Sequence, residues 1–313
     1  MDTKLPNEFI EILKKVYPET FKSILSTFEK DLPTTFRVNT LKSNFDEVEQ
    51  ELNNAEIKIK KGPFENSFIV IEDKKELITR TNLVTSGKIY MQELSSMIPP
   101  FIIDPNVGEF ILDLTAAPGS KTTQLSALCN DKAKILANEK SYVRFQKLKF
   151  NLNLQGCENV KTTNENGMFL HKKYPEFVNF FDKVMLDAPC SSEGRFYTKN
   201  PKSFKYWNKH KIREMVGLQK GLLKAAIEMV KPGGFLLYST CTINPFENEQ
   251  NINWLLSKVP NIEVEEIKLD INNIHKGLVV YENLKFDENI SKTIRIIPND
   301  IFGAFYLAKI RKK

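Results

Sequence analysis

Cysteine and histidine are both scarce in this chain of 313 residues, which contains four cysteines and three histidines. The cysteines are Cys129, Cys157, Cys190 and Cys241, and no two of them form a Cys-x-x-Cys pair. Zinc sites need closely spaced thiols or imidazoles, and disulfide-stabilised domains concentrate their cysteines in short chains. We therefore expect no metal, and we expect a reduced, intracellular protein of the cytoplasm.

Long apolar segments are also absent, because no stretch approaches the ~20 uninterrupted apolar residues that a membrane-spanning helix needs. The first residues, MDTKLPNEFIEILKK, mix acidic and basic side chains, whereas a signal peptide starts basic and continues apolar. The glycine patterns of dinucleotide-binding turns and phosphate-binding loops are missing as well. We expect a monomer that is neither secreted nor inserted in a membrane.

The charge balance is mildly basic, with 45 Lys+Arg against 39 Asp+Glu and a net charge of +6. Such an excess suits a polyanionic partner, but many proteins without one are equally basic. The 41% of hydrophobic residues is enough for a buried core in one large or two modest domains.

The first 85 residues have the pattern of a small α+β domain. Apolar residues at helical spacing predict two short helices, and the segment from Thr35 to Thr40 fits a strand. A third helix should begin after Asn44, whose capping role is supported by Glu47 three residues later. Two further apolar runs complete the domain, and we place its boundary between residues 85 and 86.

From residue 86 onward, short apolar strands alternate with amphipathic helices. The predicted strands are Phe110 to Leu114, Lys134 to Ala137, Lys183 to Leu186 and Phe235 to Tyr238. Such alternation is typical of a parallel sheet covered by helices. The sequence KPGG at residues 231–234 predicts a break before the last of these strands, and the apolar run from Phe302 to Ile310 predicts a final strand at a sheet edge.

Polar residues that follow the strands are the first candidates for function, because doubly wound sheets bind ligands beyond the carboxyl ends of their strands. Asp113 ends one strand, and the small residues from Ala116 to Ser120 lead into a helix near Lys121. Glu139 ends the next strand, where a carboxylate can accept hydrogen bonds from ribose hydroxyls. A tight turn and a solvated carboxylate are the plain alternatives; a ligand that combines an amino acid with adenosine also fits.

Two cysteines follow the remaining strands: Cys190 comes soon after Asp187, and Cys241 comes directly after Thr240. Free cysteines usually fill core positions, and Cys129 and Cys157 keep that interpretation. A thiolate among polar residues suggests a specific reaction, because carbon 5 of a pyrimidine becomes nucleophilic only after a group adds at carbon 6. Asp187 could then absorb the developing charge at ring nitrogen N3.

Five motifs make the chain similar to the RNA cytosine-C5 methyltransferases of the Sun/Nol/Nop type: RVNTLK at Arg37, IYMQELSS around Gln92, DLTAAPGSKT from Asp113, DAPCSSEG from Asp187 and YSTCTINPFENE from Tyr238. The combination of a PC and a TC cysteine is specific to that family, and the pattern is closest to its ribosomal RNA members. The resemblance implies an α/β fold of the class I S-adenosylmethionine-dependent methyltransferases, which is Rossmann-like. It further implies a small RNA-recognition-like domain at residues 1–85, a catalytic domain at 86–313, and methylation of carbon 5 of cytosine in rRNA or tRNA.

The same resemblance implies residue roles that the residues alone leave open. Cys241 is then the nucleophile that forms a covalent adduct at carbon 6, and Cys190 assists release of the product. Asp187 lies between cofactor and target base, and Lys121 is the family's active-site lysine. The implied S-adenosylmethionine pocket consists of Thr115, Ala116, Ala117, Pro118, Gly119, Ser120, Lys121, Glu139, Asn166 and Asp187.

One position departs from the family pattern, which has an acidic residue after the third strand to contact adenine. The sequence TTNENGMF places Asn166 there, and Glu165 is the alternative if the register differs by one. RNA is the implied partner. Residues 194–213, GRFYTKNPKSFKYWNKHKIR, interleave basic and aromatic side chains, a pattern that suits phosphate contact and base stacking and equally suits a solvated helix flank.

Two other functions stay open. The chain could be a catalytically inactive RNA-binding protein of the same fold, although the presence of Cys190, Cys241, Asp187 and Lys121 argues against this. It could also be a DNA cytosine methyltransferase, in which the PC cysteine would be the nucleophile. The TC cysteine and the RVNTLK segment at Arg37 argue for RNA.

Overall fold

The computed structural model describes residues 4–72 and 74–313. Contacts divide the chain into two compact units, and Pro33–Met185 forms one of them. The other unit combines the chain up to Leu32 with Leu186–Lys313. The domain boundary between residues 85 and 86 stays a prediction. None of the described helices is long and apolar enough to cross a membrane.

The regular elements are numbered in chain order. The helices are α1 (Asn7–Val16), α2 (Phe21–Thr27), α3 (Phe45–Asn54), α4 (Lys75–Thr79), α5 (Asn82–Thr85), α6 (Leu94–Ile103), α7 (Ser120–Leu128), α8 (Tyr142–Gln155), α9 (Leu170–Lys173), α10 (Lys209–Met229) and α11 (Glu249–Lys258). The strands are β1 (Thr35–Val38), β2 (Ile59–Lys61), β3 (Ser67–Val70), β4 (Ile89–Met91), β5 (Phe110–Asp113), β6 (Lys134–Asn138), β7 (Val160–Thr163), β8 (Phe181–Asp187), β9 (Val230–Thr240), β10 (Ile262–Glu265), β11 (Ile274–Lys276), β12 (Val280–Tyr281), β13 (Leu284–Lys285), β14 (Ile294–Ile296) and β15 (Phe305–Lys312).

The unit Pro33–Met185 contains an antiparallel four-stranded sheet in the order β2-β3-β1-β4. Phe36 of β1 and Leu52 of α3 belong to the same buried apolar cluster. Helix α3 begins where the sequence predicts, because Asn44 Oδ1 accepts a hydrogen bond from Glu47 N at 3.0 Å. Helix and sheet therefore form the small α+β arrangement expected for this part of the chain.

The same unit carries parallel strands in the order β8-β5-β6-β7. Leu112 of β5 lies opposite Leu136 of β6 and opposite Val184 of β8. Parallel strands end at a common edge, where Asp113 and Asn138 are the last residues of β5 and β6. The parallel sheet predicted from the alternating pattern is present.

In the other unit, β15 pairs antiparallel with β9, β14 and β10, and β14 pairs with β11. The prediction that the final strand lies at an edge is wrong, because β15 has hydrogen-bonded strands on both sides. The predicted break at residues 231–234 is also misplaced: α10 ends at Met229, and β9 already begins at Val230. Arg311 Nη1 donates to Gly233 O at 2.5 Å, which ties this segment to β15.

Candidate functional site

The turn after strand β5 leads directly into helix α7. Ala116 N donates to Asn138 O at 2.8 Å, and Gly119 N donates to Ala116 O at 2.8 Å. Gly119 has a φ of +107°, which side chains disfavour, and a Cβ there would lie 3.1 Å from Leu148 Cδ1. The segment from Thr115 to Lys121 therefore depends on its glycine, and it lies at the positively polarised amino end of α7.

Side chains brace this turn from two helices. Asp113 Oδ2 accepts a hydrogen bond from Thr122 Oγ1 of α7 at 2.7 Å. From α8, Asn151 Nδ2 donates to Pro118 O at 2.8 Å. The turn is thus tied to β5, α7 and α8, so its backbone is preorganised for a ligand.

Glu139 follows β6, and its side chain is only 5% exposed. Its Oε1 accepts a hydrogen bond from Ser141 N at 2.8 Å, and its Oε2 lies 3.4 Å from Arg144 Nη1. Arg144 also donates to Ala117 O, so one guanidinium joins the acid to the turn after β5. Sequence reasoning missed Arg144, for which its place in the first turn of α8 was the available signal.

Asn138, the last residue of β6, is a second residue that sequence reasoning missed. Its Nδ2 donates to Leu114 O and to Glu165 O, each at 3.1 Å. Its Oδ1 accepts from Thr163 Oγ1 at 2.9 Å and from Glu165 N at 3.1 Å. One buried amide therefore fixes the ends of β5, β6 and β7 relative to each other.

The two candidates for the adenine contact are both engaged within the protein. Asn166 Oδ1 accepts a hydrogen bond from Met168 N at 3.2 Å. The Glu165 carboxylate pairs with Lys173. The choice between Asn166 and Glu165 stays a prediction.

Lys121 is buried in the first turn of α7, and its Nζ donates to Ser96 Oγ of α6 at 2.8 Å. An amide network lies on the same two helices, since Gln124 Nε2 donates to Met97 O at 3.0 Å. Lys121 therefore contributes to the contact between α6 and α7, and its catalytic role stays a prediction.

Arg37, the first residue of the RVNTLK motif, is buried and supports α7. Its Nε donates to Gln92 Oε1 at 3.0 Å, and its Nη2 donates to Thr123 Oγ1 at 2.6 Å. Burial lowers the pKa of Arg37 to about 10. The guanidinium of this motif residue therefore braces helix α7 inside the unit.

The other unit brings together Asp187, Cys190 and Cys241. Asp187 Oδ1 accepts a hydrogen bond from Ser239 Oγ at 2.9 Å, and Ala188 N donates to Ser239 O at 2.8 Å. The sulfur atoms of Cys190 and Cys241 lie 3.4 Å apart. The PC and TC segments therefore meet at one point, as their positions after neighbouring strands suggested.

The pKa values of the two thiols are shifted in opposite directions. A hydrogen bond from Cys190 lowers the pKa of Cys241, and the positive charge of Arg195 lowers it further. The same hydrogen bond and burial raise the pKa of Cys190. Cys241 is thus the thiol of the pair whose pKa is lowered, and a thiolate is the nucleophilic form of cysteine.

Most aromatic side chains of the basic segment at 194–213 point into the protein. Phe196 and Trp207 pack against Phe9 of α1, with ring centres 4.9 Å and 6.0 Å away. Tyr197 is half-buried, whereas Tyr206 is 75% exposed, and Lys205 Nζ lies 5.4 Å from its ring centre. Base stacking by this segment stays a prediction, for which Tyr206 is the most exposed ring.

Across residues 4–72 and 74–313, no group of three or more His, Cys, Asp or Glu side chains is arranged to hold a metal ion.

Comparison with known proteins identifies two matching families. The model described as 16S rRNA methyltransferase RsmB/F matches residues 100–311. A second model, described as a ferredoxin-like domain of RsmF/B-like methyltransferases, matches residues 5–77. The second match agrees with the small α+β arrangement at the amino-terminal side of the chain.

Individual relatives are likewise RNA methyltransferases. The chain is 39% identical to tRNA (cytosine(49)-C(5))-methyltransferase of Pyrococcus abyssi, over 90% of this chain and 89% of that protein. It is 35% identical to ribosomal RNA small subunit methyltransferase F of Escherichia coli K12, over 82% of this chain and 54% of that protein. The chain thus spans about half the length of this ribosomal RNA relative.

A solved structure of a methyltransferase homolog protein from Pyrococcus horikoshii is 32% identical, with a TM-score of 0.84. The similarity covers 99% of this chain and 96% of that one. The predicted fold, a Rossmann-like α/β methyltransferase with a small α+β amino-terminal domain, is confirmed, and the family model describes that small domain as ferredoxin-like.

Proposed function

The chain belongs to the 16S rRNA methyltransferase RsmB/F family, and from this premise we propose that it methylates carbon 5 of cytosine in RNA, with S-adenosylmethionine as methyl donor. The observation that carries the proposal is the Cys190–Cys241 pair, with sulfur atoms 3.4 Å apart. Methylation at carbon 5 needs one thiol that adds to the base and a means of releasing it. The names of the relatives point to tRNA and rRNA as the two substrate classes to test.

The donor set in Pro33–Met185 fits S-adenosylmethionine, which supplies an electrophilic methyl group on a sulfonium sulfur. A carboxylate has about four lone-pair sites, and in Glu139 Ser141 N and Arg144 engage two of them. The remaining sites suit ribose hydroxyls. Backbone N–H groups between Thr115 and Lys121 would hold the donor at the amino end of α7, and Asn166 or Glu165 would contact adenine.

We assign the addition step to Cys241 and Asp187. The Cys241 thiolate forms a bond to carbon 6 of cytosine, the π electron pair between carbons 5 and 6 shifts to the bond between carbons 4 and 5, and the π pair between carbon 4 and N3 moves onto N3. Asp187, oriented by Ser239 Oγ at 2.9 Å, supplies the proton or hydrogen bond that N3 requires. Carbon 5 is then electron-rich enough to accept the methyl group.

We assign the release step to Cys190. When the proton on carbon 5 passes to solvent water, the electron pair of the broken C–H bond restores the double bond between carbons 5 and 6 and expels Cys241 as a thiolate. The Cys190 S–H lies 3.4 Å from that sulfur and stabilises the departing charge. Leaving groups depart faster when their pKa is lower, so this hydrogen bond favours release more than addition.

The test is release of tritium from RNA labelled at carbon 5 of cytosine. We expect S-adenosylmethionine-dependent release from a tRNA or rRNA transcript, none from DNA of the same sequence, and none by the Cys241→Ala variant. Release from DNA but not RNA would identify a DNA enzyme. No release from any substrate, while RNA binding persists, would identify an inactive RNA-binding protein.

A further inference from the structure

Two buried glutamates lie beside the thiol pair, and neither has a role in the steps above. Glu193 follows Cys190 by three residues, and Glu247 follows Cys241 by six. Both side chains belong to residues with 0% exposure. Carboxyl groups are rarely buried completely unless other groups donate hydrogen bonds to them.

Glu193, although it belongs to the Cys190 segment, holds the Cys241 segment. Its Oε2 accepts from Thr242 Oγ1 at 2.7 Å and from Ile243 N at 3.2 Å. The neighbouring Gly194 N donates to Cys241 O at 2.9 Å. The residues on the carboxyl side of Cys241, and its own carbonyl, are therefore fixed by residues that follow Cys190.

Glu247 holds the Cys190 segment in return. Its Oε2 accepts from Ser191 N at 3.0 Å and from Gln219 Nε2 at 2.8 Å. Gln219 Nε2 also donates to Pro189 O at 2.8 Å. Cys190 is therefore held on both sides, at the preceding residue by Gln219 and at the following residue by Glu247.

Gly194 shows how tightly the two segments approach. A Cβ at this position would lie 2.4 Å from Ala304 O and 3.0 Å from Cys241 O, so only glycine fits. Ser191 Oγ and Thr242 Oγ1, the residues directly after the two cysteines, lie 2.8 Å apart and share a hydrogen bond. The thiols are thus positioned by a crossed set of contacts, each segment holding the other.

We propose that this crossed set separates the two chemical steps, with Gln219 and Glu247 positioning Cys190 for release and Glu193 positioning Cys241 for addition. The inference rests on the proposed function of the two cysteines. A displacement of a reacting group by about 1 Å can cost on the order of 100-fold in rate. Loss of a Cys190 support should therefore slow release and spare addition, whereas loss of the Cys241 support should slow addition, the step in which Cys241 must reach carbon 6.

The protonation of Glu247 suits this role. Burial and the nearby Glu193 raise the pKa of Glu247 to about 8. A neutral carboxyl group accepts the Ser191 and Gln219 hydrogen bonds without placing a negative charge near the Cys190 thiol. Glu247→Gln keeps a neutral acceptor at this place and is therefore the conservative variant.

The experiment follows formation and decay of the covalent protein–RNA adduct on denaturing gels. It uses the full chain, a tRNA or rRNA transcript, and a saturating concentration of S-adenosylmethionine. We expect Gln219→Met and Glu247→Leu to form the adduct within about twofold of the unmodified rate and to release it about tenfold more slowly. Glu247→Gln should release it normally. Glu193→Gln should instead slow adduct formation.

The outcomes separate this inference from the function on which it rests. If Cys190→Ala accumulates the adduct but Gln219→Met does not, the positioning role is refuted while the function stands. If Cys190→Ala itself accumulates none, the proposed function fails first. If Gln219→Met slowed adduct formation and release equally, Gln219 would have only a structural role. If Glu247→Leu does not fold, the result for Gln219→Met alone tests the positioning of Cys190.

Discussion

Cys190 Sγ and Cys241 Sγ lie 3.4 Å apart although 51 residues separate them in the chain. Their hydrogen bond lowers the pKa of Cys241 and raises that of Cys190, so the two thiols are chemically different although they are neighbours. The proposed division into a nucleophile and a release residue depends on this difference.

Replacing each cysteine should give opposite results. Cys241→Ala has no nucleophile, so we expect neither methylation nor a covalent adduct. In Cys190→Ala, Cys241 should still add to the base. Without the hydrogen bond from Cys190 the pKa of Cys241 is higher and less thiolate is present, but each thiolate is more nucleophilic, which partly offsets the loss. Release should stall. Denaturing gel electrophoresis with labelled RNA shows the trapped adduct. The reverse pattern would assign the PC cysteine as nucleophile, as in the DNA enzyme considered above.

Arg195→Gln should shift the pH dependence of adduct formation upward. The positive charge of Arg195 lowers the pKa of Cys241, so its removal leaves less thiolate at a given pH and the rate should rise at higher pH than in the unmodified protein. The two rates should converge once the thiol is fully ionised. Lys199→Gln, an exposed cation on the same segment, is the control. An unchanged midpoint would show that Arg195 does not act on the thiol.

The free energy of unfolding should fall as pH rises from about 4.5 to about 8, partly because of Glu247. Its pKa is raised from 4.5 to about 8, so between these values the folded state keeps a proton that the unfolded state has lost. One such group contributes up to about 1.4 kcal/mol per pH unit. Urea unfolding of Glu247→Gln should give a shallower slope in this window. A slope identical to that of the unmodified protein would mean that Glu247 ionises normally.

Glu139→Ala should weaken binding of S-adenosylmethionine by roughly 10- to 100-fold, the loss typical of hydrogen bonds to a charged group. Asp113→Ala should also weaken it, because Asp113 fixes Thr122 and with it the start of α7. Isothermal titration calorimetry measures both, with Glu158→Ala at an exposed position as control. Unchanged affinity in both test variants would remove the turn and Glu139 from the pocket.

Replacing Lys199, Lys202 and Lys205 by Gln should flatten the salt dependence of RNA binding. These three lysines are exposed and belong to the same segment as Tyr206, whereas Lys209 pairs with Glu8 at 3.0 Å and is left out. Each lost phosphate contact should lower the slope of log affinity against log salt by about 0.7 for single-stranded RNA. Filter binding at several salt concentrations measures it. The matched control replaces Lys258, Lys268 and Lys276; the same slope in both triple variants would exclude the segment.

Features that depend on near neighbours in the chain could be predicted from the amino-acid sequence. The cap of α3 at Asn44 follows from a side chain that reaches three residues ahead, and the turn before α7 follows from small residues and Gly119. Short apolar runs that alternate with helices likewise predicted the parallel strands. Each such strand is buried on both faces of the sheet, so its own residues are continuously apolar. The PC and TC motifs marked the two cysteines.

Contacts between residues that are distant in the chain became known only from the folded structure. The final strand is interior because β9 and β14 pair with it, and strand pairing is not encoded in any local pattern. Phe196 and Trp207 read as candidate stacking residues, yet they pack on Phe9 nearly two hundred positions earlier in the chain. Glu193 and Glu247 lie within two of the motifs, but the motifs alone indicate no role for them. Their function depends on which segment each carboxyl group reaches across the fold, and local propensities act over too few residues to specify that.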